Sequence, residues 1–333
     1  MKAMLMAAPG GPEVLQIAEL PLPELPSPVH LLVRLKAAGV NPIDTKLRKD
    51  GTYFPDRLPT VLGCDGAGVV ESIGNAVTRF KPGDEVYFFN GGIGGEPGNY
   101  AEYAVVHEDC AAAKPKNLSM IEAAALPLVL ITAWEALHDR AQLKEGQTVL
   151  IHAAAGGVGH VAVQLAREMG IRVAATVSSA EKAAWVNKLG AEKVILYTQE
   201  DFVHAALDWT DGQGVDAVFD TVGGDTFCRS FAAAKLYGKI VTLLQSDCTA
   251  SQIKLARLRS QSIHFELMLG PAYFGAHQAR IAQTRILEAG KKLFEAGKLK
   301  IEVSKTFSLD QAAEAHRLIE EGHTAGKIVL TID

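Results

Sequence analysis

Two hydrophobic rhythms divide this chain. From about residue 146 onward, short apolar runs alternate with stretches whose apolar positions recur every three or four residues, the mark of strands alternating with helices. Val149-Leu150-Ile151 reads as a buried strand running into Ala153-Ala154-Ala155-Gly156-Gly157-Val158-Gly159. The following His160–Met169 stacks Val161, Leu165 and Met169 on one face, which predicts a helix, and Gly170 sits where a helix C-cap favours a residue tolerant of positive φ. Ile171–Val177 is the next strand, and Ser178 or Ser179 caps a helix over Glu181–Leu189 that stops at Gly190. Strands over Lys193–Tyr197, Val215–Asp220, Gly238–Leu244 and Ser262–Leu269 follow, with a helix from about Thr226. Six apolar strands, most linked by helices, predict a parallel, doubly wound sheet.

The first part of the chain is mixed and strand-rich, with strands expected over Val29–Leu35, Gly66–Val70 and Tyr100–Val106. Its turns are punctuated by sequences such as Lys81-Pro82-Gly83-Asp84, and Gly91–Gly98 reads as a glycine-rich loop with room to move. The tail, Leu287–Asp333, returns to helix and edge strand and is expected to fold back on the first domain.

Composition changes this picture little. With 333 residues, 48% of them apolar and 21% charged, the chain has the balance of a soluble globular protein with two sizeable cores. Thirty-three basic against 38 acidic residues, with no basic block, argue against a nucleic-acid partner. The N-terminus has too short an apolar core for a signal peptide, and the longest apolar run, Ala123–Trp134, is too short to span a bilayer and contains Pro127; a cytoplasmic protein is expected. Cys64, Cys110, Cys228 and Cys248 are scattered, so free thiols are expected rather than disulfides or a structural metal.

The glycine turn carries the chemistry. A strand, a glycine turn and a helix N-terminus together aim backbone N–H groups and the positive end of a helix dipole at one point, which suits a pyrophosphate. Gly156 and Gly159 match the second and third glycines of the dinucleotide fingerprint, while Ala154 replaces the first; Gly157 and Val158 complete the turn. Where a protein preferring the unphosphorylated cofactor places a carboxylate, this chain has Thr176-Val177-Ser178-Ser179. The missing acid favours NADPH, with Ser178, Lys182 and Tyr197 as candidate partners of the 2′-phosphate and its ribose. The plainer readings are a solvated helix lysine for Lys182 and a packed strand end for Tyr197. The histidines assemble into no recognisable centre, and His152 reads as a strand residue rather than a base.

Four segments carry a family resemblance: Ala38-Gly39-Val40-Asn41-Pro42-Ile43-Asp44, Leu58-Pro59-Thr60-Val61-Leu62-Gly63, Lys81-Pro82-Gly83-Asp84-Glu85-Val86, and the glycine turn. With them the chain resembles, over nearly its whole length, the zinc-free quinone oxidoreductases of the medium-chain dehydrogenase/reductase superfamily. The resemblance implies an α/β protein, a GroES-like mixed β domain plus a Rossmann doubly wound parallel sheet. The expected division is a catalytic domain over 1–124, a Rossmann NADPH-binding domain over 125–268 and a return segment over 269–333 completing the first. It implies NADPH as cofactor, a small-molecule quinone or enone as substrate, and a homodimer. Zinc-dependent members of the superfamily carry a Cys–His pair in these segments; here Asn41 stands in the cysteine's place and Gly63-Cys64-Asp65 replaces Gly-His-Glu, so no metal site is expected. By resemblance Asn41 and Tyr53 line the cleft near the nicotinamide, with Tyr53 either a proton-donating or orienting hydroxyl or a packing residue, and Thr132 sits beside the ring. Val222, Leu244 and Gly270 fall at or just past strand C-terminal ends, where dinucleotides bind in open sheets. Lys327 falls near the cofactor in the family pattern or is a surface lysine, and Asp44 is a site neighbour or a helix N-cap. The implied reaction is hydride transfer from NADPH to an electron-poor carbonyl compound. A 2-alkenal or enoyl thioester reductase, or an NADPH-binding protein with little turnover, are the alternatives.

Overall fold

A computed structural model describes residues 1–322 and 324–333. Along the chain its strands are β1 (Lys2–Met6), β2 (Leu15–Glu19), β3 (His30–Val40), β4 (Thr60–Val61), β5 (Asp65–Ile73), β6 (Glu85–Phe89), β7 (Tyr103–His107), β8 (Ala111–Ala113), β9 (Thr148–Ile151), β10 (Arg172–Val177), β11 (Lys193–Leu196), β12 (Val215–Asp220), β13 (Ala234–Thr242), β14 (Ser262–Phe265), β15 (Val303–Ser308) and β16 (Lys327–Thr331). The helices are α1 (Pro42–Asp50), α2 (Met120–Ala124), α3 (Pro127–Trp134), α4 (Gly157–Glu168), α5 (Ala180–Leu189), α6 (Phe202–Trp209), α7 (Gly224–Ala233), α8 (Ala250–Leu258), α9 (Gly270–Tyr273), α10 (His277–Glu295) and α11 (Ala312–Glu321). Among the described residues no helix is long and apolar enough to cross a membrane. The chain forms two compact units, one of Met1–Ile131, Leu269–Gly297 and Ile301–Asp333, the other of Thr132–Met268 and Lys298–Lys300.

In the first unit β3 is the organising strand. It pairs antiparallel with β5 along one edge, and with β7 and β16 along the other. The seven-stranded sheet runs β15-β16-β3-β5-β6-β8 with β7 on β3, and a separate three-stranded sheet runs β2-β1-β4. The tail therefore does fold back, but β16 lies inside the sheet, between β3 and β15, rather than at its edge. The 91–98 loop is not the roomy segment its glycines suggest. Residues 91–94 are buried, and a Cβ on Gly91 would lie 2.0 Å from the Pro97 carbonyl oxygen. Its glycines serve close backbone approach.

The second unit is the predicted parallel sheet, in the order β11-β10-β9-β12-β13-β14 with every pairing parallel. Leu150, Ala174, Ile195, Val218 and Ile240 on its strands pack against Phe202 of α6 and Phe227 and Phe231 of α7. Burial on both faces explains why these strands are apolar without alternation. Cys228 of α7 and Cys248, in the loop after β13, form a disulfide with Cα atoms 5.4 Å apart; Cys64 and Cys110 are free and buried. This corrects the expectation of four free thiols. The β12–α7–β13 crossover returns the chain beside α7, a proximity that spacing along the sequence does not display.

At Gly68 β5 runs close against β3. A Cβ there would lie 2.2 Å from the Arg34 carbonyl oxygen and 2.9 Å from the Leu35 Cα, both of them backbone. Overpacking of this kind costs about 1–3 kcal/mol, so Gly68→Val is expected to lower the thermal midpoint by several degrees in calorimetry. An unchanged midpoint would mean that β3 and β5 have slack the geometry does not show.

Candidate functional site

In the second unit β9 leaves the sheet through Ala153, held at φ 47° although it is not glycine. Two bonds to β10 fix it there: Ala153 N–H donates to Thr176 Oγ1 at 3.2 Å and Ala154 N–H to the Thr176 carbonyl at 3.0 Å. The turn closes with Gly156 N–H on the Ala153 carbonyl at 2.8 Å. A Cβ on Gly159 would lie 2.4 Å from that same carbonyl, so only glycine lets α4 sit this close to the strand end. Gly156 is the N-cap of α4 and offers no side-chain cap, and Gly156, Gly157 and Val158 are half-buried at the mouth of the turn. An uncapped, twelve-residue helix with small residues at its start fits a dinucleotide pyrophosphate.

The other sequence-predicted residues of this unit gather at the same, C-terminal, edge of the sheet. Ser178 follows β10, and Ser179 rather than Ser178 caps α5, its Oγ accepting the Lys182 N–H at 3.3 Å. That leaves the Ser178 hydroxyl outside the cap and places Lys182 in the first turn of α5. Tyr197 follows β11 and is exposed. Val222 lies in the loop after β12, and Leu244 after β13. Tyr197 and Val222 line one cavity of about 460 Å³, together with Ala153, Thr176, Phe202 and Arg229. Phe202 and Arg229 were not anticipated; the guanidinium lies over the Phe202 ring at 4.8 Å and pairs with Asp201.

Asp220 was also missed, and it shapes the loop that carries Val222. Its carboxylate, fully buried, accepts N–H groups of Val222 and Gly223 at 3.0 Å and the Thr242 hydroxyl at 2.7 Å. A strand-terminal aspartate in an apolar run was the available signal. His152 is buried, with Thr176 Oγ1 and Ser230 Oγ each 3.1 Å from one ring nitrogen. Burial pushes its pKa down to about 4, so it is a neutral structural residue.

Thr132 is buried in α3, at the start of the second unit. Gly270 does not follow a strand directly: β14 ends at Phe265, and Gly270 opens α9 in the first unit. The apolar run to Leu269 is longer than the segment that pairs with β13.

The first unit builds a polar cluster where β3 turns into α1. Asn41 is the N-cap of α1 and Asp44 its third residue, accepting the Asn41 N–H at 2.8 Å; Asp44 is thus not itself the cap. Asn41 Nδ2 donates to Asp65 Oδ2 at 2.9 Å. Lys327, opening β16, is buried rather than on the surface; its ammonium donates to Asn41 Oδ1 and, at 3.2 Å, to the Val40 carbonyl, and stands 3.9 Å from Asp65. Asp65 Oδ1 accepts the Leu128 N–H at 2.8 Å. Behind Asp44, Tyr100 donates to its Oδ2 at 3.0 Å and meets His316 Nε2 at 3.2 Å, and Cys64 Sγ points at Oδ1 from 3.6 Å.

Burial governs the charges here. Desolvation raises Asp65 to about 6, against the pull of Lys327, Asn41 and the Leu128 N–H. Desolvation likewise raises Asp44 to about 7, opposed by the Asn41 N–H and assisted by Asp65. Both the Cys64 thiol and the Lys327 ammonium are pushed toward their neutral forms by burial. These donors do not suit zinc: burial pushes the thiol toward its protonated form, among the described residues no imidazole joins Asn41, Cys64 and Asp65, and the lysine ammonium lies against Asn41 and Asp65 where a cation would compete with it. Tyr53, 36% exposed, stands edge to face with Tyr273 of α9, ring centroids 5.4 Å apart.

Comparison with known proteins agrees with this geometry. Residues 27–116 match the alcohol dehydrogenase GroES-like domain family, and residues 189–330 match a family described as zinc-binding dehydrogenase. The chain is 35% identical over 330 residues to the quinone oxidoreductase of Pseudomonas aeruginosa, covering 99% of each chain. It is 34% identical over 340 residues to a Burkholderia 2-haloacrylate reductase, covering 98% of this chain and 99% of that one. The crystal structure of Escherichia coli quinone oxidoreductase complexed with NADPH superimposes with a TM-score of 0.88 at 31% identity, covering all of both chains. A dinucleotide-binding parallel sheet, a GroES-like unit and this full-length similarity identify an NAD(P)H-dependent oxidoreductase: the chain belongs to the quinone oxidoreductases of the medium-chain dehydrogenase/reductase superfamily.

Proposed function

We propose that the protein is an NADPH-dependent, zinc-independent reductase of quinones or related electron-poor carbonyl compounds. The observation that carries this reading is the Lys327–Asn41–Asp65 cluster: a buried ammonium held where a metal-dependent relative would need a Lewis acid. A substrate that accepts hydride without metal polarisation suits that site better than an alcohol. The relatives named quinone oxidoreductase support it. The Burkholderia 2-haloacrylate reductase supports a second reading, reduction of an activated carbon–carbon double bond.

NADPH, when bound, supplies the hydride. The N–H groups of Gly157, Val158 and Gly159 at the start of α4 would hold its pyrophosphate. Ser178 and Lys182 would hold the 2′-phosphate, Tyr197 and Val222 the adenosine from the cavity beside the turn, and Thr132 and Leu244 the nicotinamide half. Asn41, its carbonyl taken by Lys327 and one amide hydrogen by Asp65, would offer its second amide N–H to the acceptor, and Tyr53 would supply a hydroxyl that orients or protonates the reduced acceptor. Ile263, Phe265 and Leu267 are exposed on and just past β14, an edge strand of the parallel sheet; this supports a homodimer formed by joining two such edges. A cytoplasmic location is part of the same proposal.

Chelator-treated protein is expected to oxidise NADPH rapidly with benzoquinone or phenanthrenequinone, and slowly with NADH. Loss of one charge-assisted bond at Lys182 is expected to cut kcat/KM for NADPH by roughly 10–100-fold and leave NADH nearly unaffected. Turnover of crotonaldehyde but no quinone favours the second reading. If no acceptor accelerates NADPH oxidation, or activity returns only with added zinc, the proposal is wrong.

The buried carboxylate gives a pH prediction. Asp44 keeps its proton up to about pH 7 in the fold but releases it near 3.8 when unfolded. Its contribution to stability is therefore full below the unfolded value and is lost as pH rises through about 7. Asp44→Asn retains an acceptor for the Asn41 N–H and carries no such term. Melts from pH 5 to 8 are expected to show the wild type losing several degrees relative to the variant; His152 and His316, both held neutral by burial, act equally on the two proteins and drop out of the difference. A difference that stays flat with pH would show that Asp44 ionises normally.

A further inference from the structure

Away from the polar cluster at Asn41, the first unit assembles three metal-ligating side chains from distant stretches of sequence. His107 ends β7, Asp109 lies in the single helical turn Glu108–Cys110 that follows, and His277 opens α10. His277 Nε2 and His107 Nδ1 stand 3.7 and 3.8 Å from the same oxygen of Asp109. The three donor atoms all lie within 4.8 Å of one another. The two imidazoles meet edge to face with centroids 4.5 Å apart.

The surroundings hold the donors in place. Arg79 stands 3.8 Å from the other Asp109 oxygen and donates to the Glu108 carbonyl at 2.7 Å, leaving Oδ2 turned to the histidines. The Glu108 carboxylate accepts the Thr78 and Arg79 N–H groups at 2.9 and 2.8 Å, fixing the turn. His30 packs edge to face on His107 at 5.2 Å and is itself tied to Ser27. Side-chain exposures of 24%, 36% and 44% for His107, Asp109 and His277 leave an open path from solvent.

We propose that His107, Asp109 and His277 bind a late first-row divalent cation, with zinc the best match and water completing the coordination. Two imidazole nitrogens and one carboxylate oxygen are the donor set that such ions favour over magnesium or calcium. Bonds of roughly 2.0–2.1 Å around a tetrahedral ion place neighbouring donors about 3.4 Å apart. The two histidine–carboxylate separations, 3.7 and 3.8 Å, exceed this by a few tenths of an ångström. His107 Nδ1 accepts the Asp109 N–H at 3.1 Å, and coordination would take over that lone pair. The ion would join the end of β7 to the start of α10, a link independent of the hydride-transfer site.

The test uses untagged full-length protein, stripped with chelator and then titrated with ZnCl2 by calorimetry and with CoCl2 by visible absorption. One equivalent is expected to bind, with a cobalt d–d band and an upward shift of the thermal midpoint. His277→Ala and Asp109→Asn should each weaken binding ~10-fold or more and abolish the shift, while Cys64→Ala should bind as the wild type does. Asp109→Asn preserves the shape of the turn, so loss of binding there is not a folding defect; circular dichroism of each variant checks this. Absence of stoichiometric binding, binding unchanged in both His277→Ala and Asp109→Asn, or binding lost in Cys64→Ala instead would each overturn the proposal.

Discussion

The first unit depends on one buried cation. Lys327 enters from the far end of the chain and places its ammonium against Asn41, the Val40 carbonyl and Asp65. An unpaired ammonium or carboxylate at that depth costs several kcal/mol, and each answers the other. The pairing also registers the sheet, because Lys327 opens β16, Val40 ends β3 and Asp65 opens β5. The contact that completes three strands is thus the one that positions Asn41 at the head of α1. Stability and site geometry share one set of bonds, so neither is altered at this point without the other.

The second unit rests on a different constraint, the approach of α4 to the end of β9. Thr176 on β10 holds Ala153 in a left-handed conformation, and Gly159 then admits the Ala153 carbonyl within the space a side chain would fill. This explains why Ala154 serves where the fingerprint has its first glycine. The left-handed residue here is Ala153, stabilised from the neighbouring strand, and Ala154 is simply buried beneath the helix.

Features legible in the sequence are those written in local periodicity and turn chemistry. β12 spans the residues its apolar run marks, α5 begins after a serine and ends at Gly190, and Gly170 follows α4 with φ of 70°. β13 was read short: it starts at Ala234, and Tyr237, at φ 61°, interrupts the pattern where the register shifts. No single run of sequence encodes such an irregularity, because the partner strand sets it. The candidate site divides the same way. The glycine turn is written in local spacing, whereas the Lys327–Asn41 bond spans 286 positions and the Cys228–Cys248 bond spans 20. Lys327 read either as a residue near the cofactor or as a surface lysine; the topology, which threads β16 between β3 and β15, buries it.

That threading has a consequence for how the chain acquires its shape during synthesis. The dinucleotide-binding unit is nearly continuous, residues 132–268 with a three-residue addition, and its parallel strands follow one another in sequence. It can close soon after it leaves the ribosome. The other unit flanks it in sequence: residues 1–131 wait, with one edge of β3 near Val40 unpaired, until β16 arrives. Throughout that interval the nascent chain carries an open strand edge and an aspartate, Asp65, that has not yet met Lys327. The interval is the period of greatest exposure to misassociation, and the docking of β16 on β3 is what ends it.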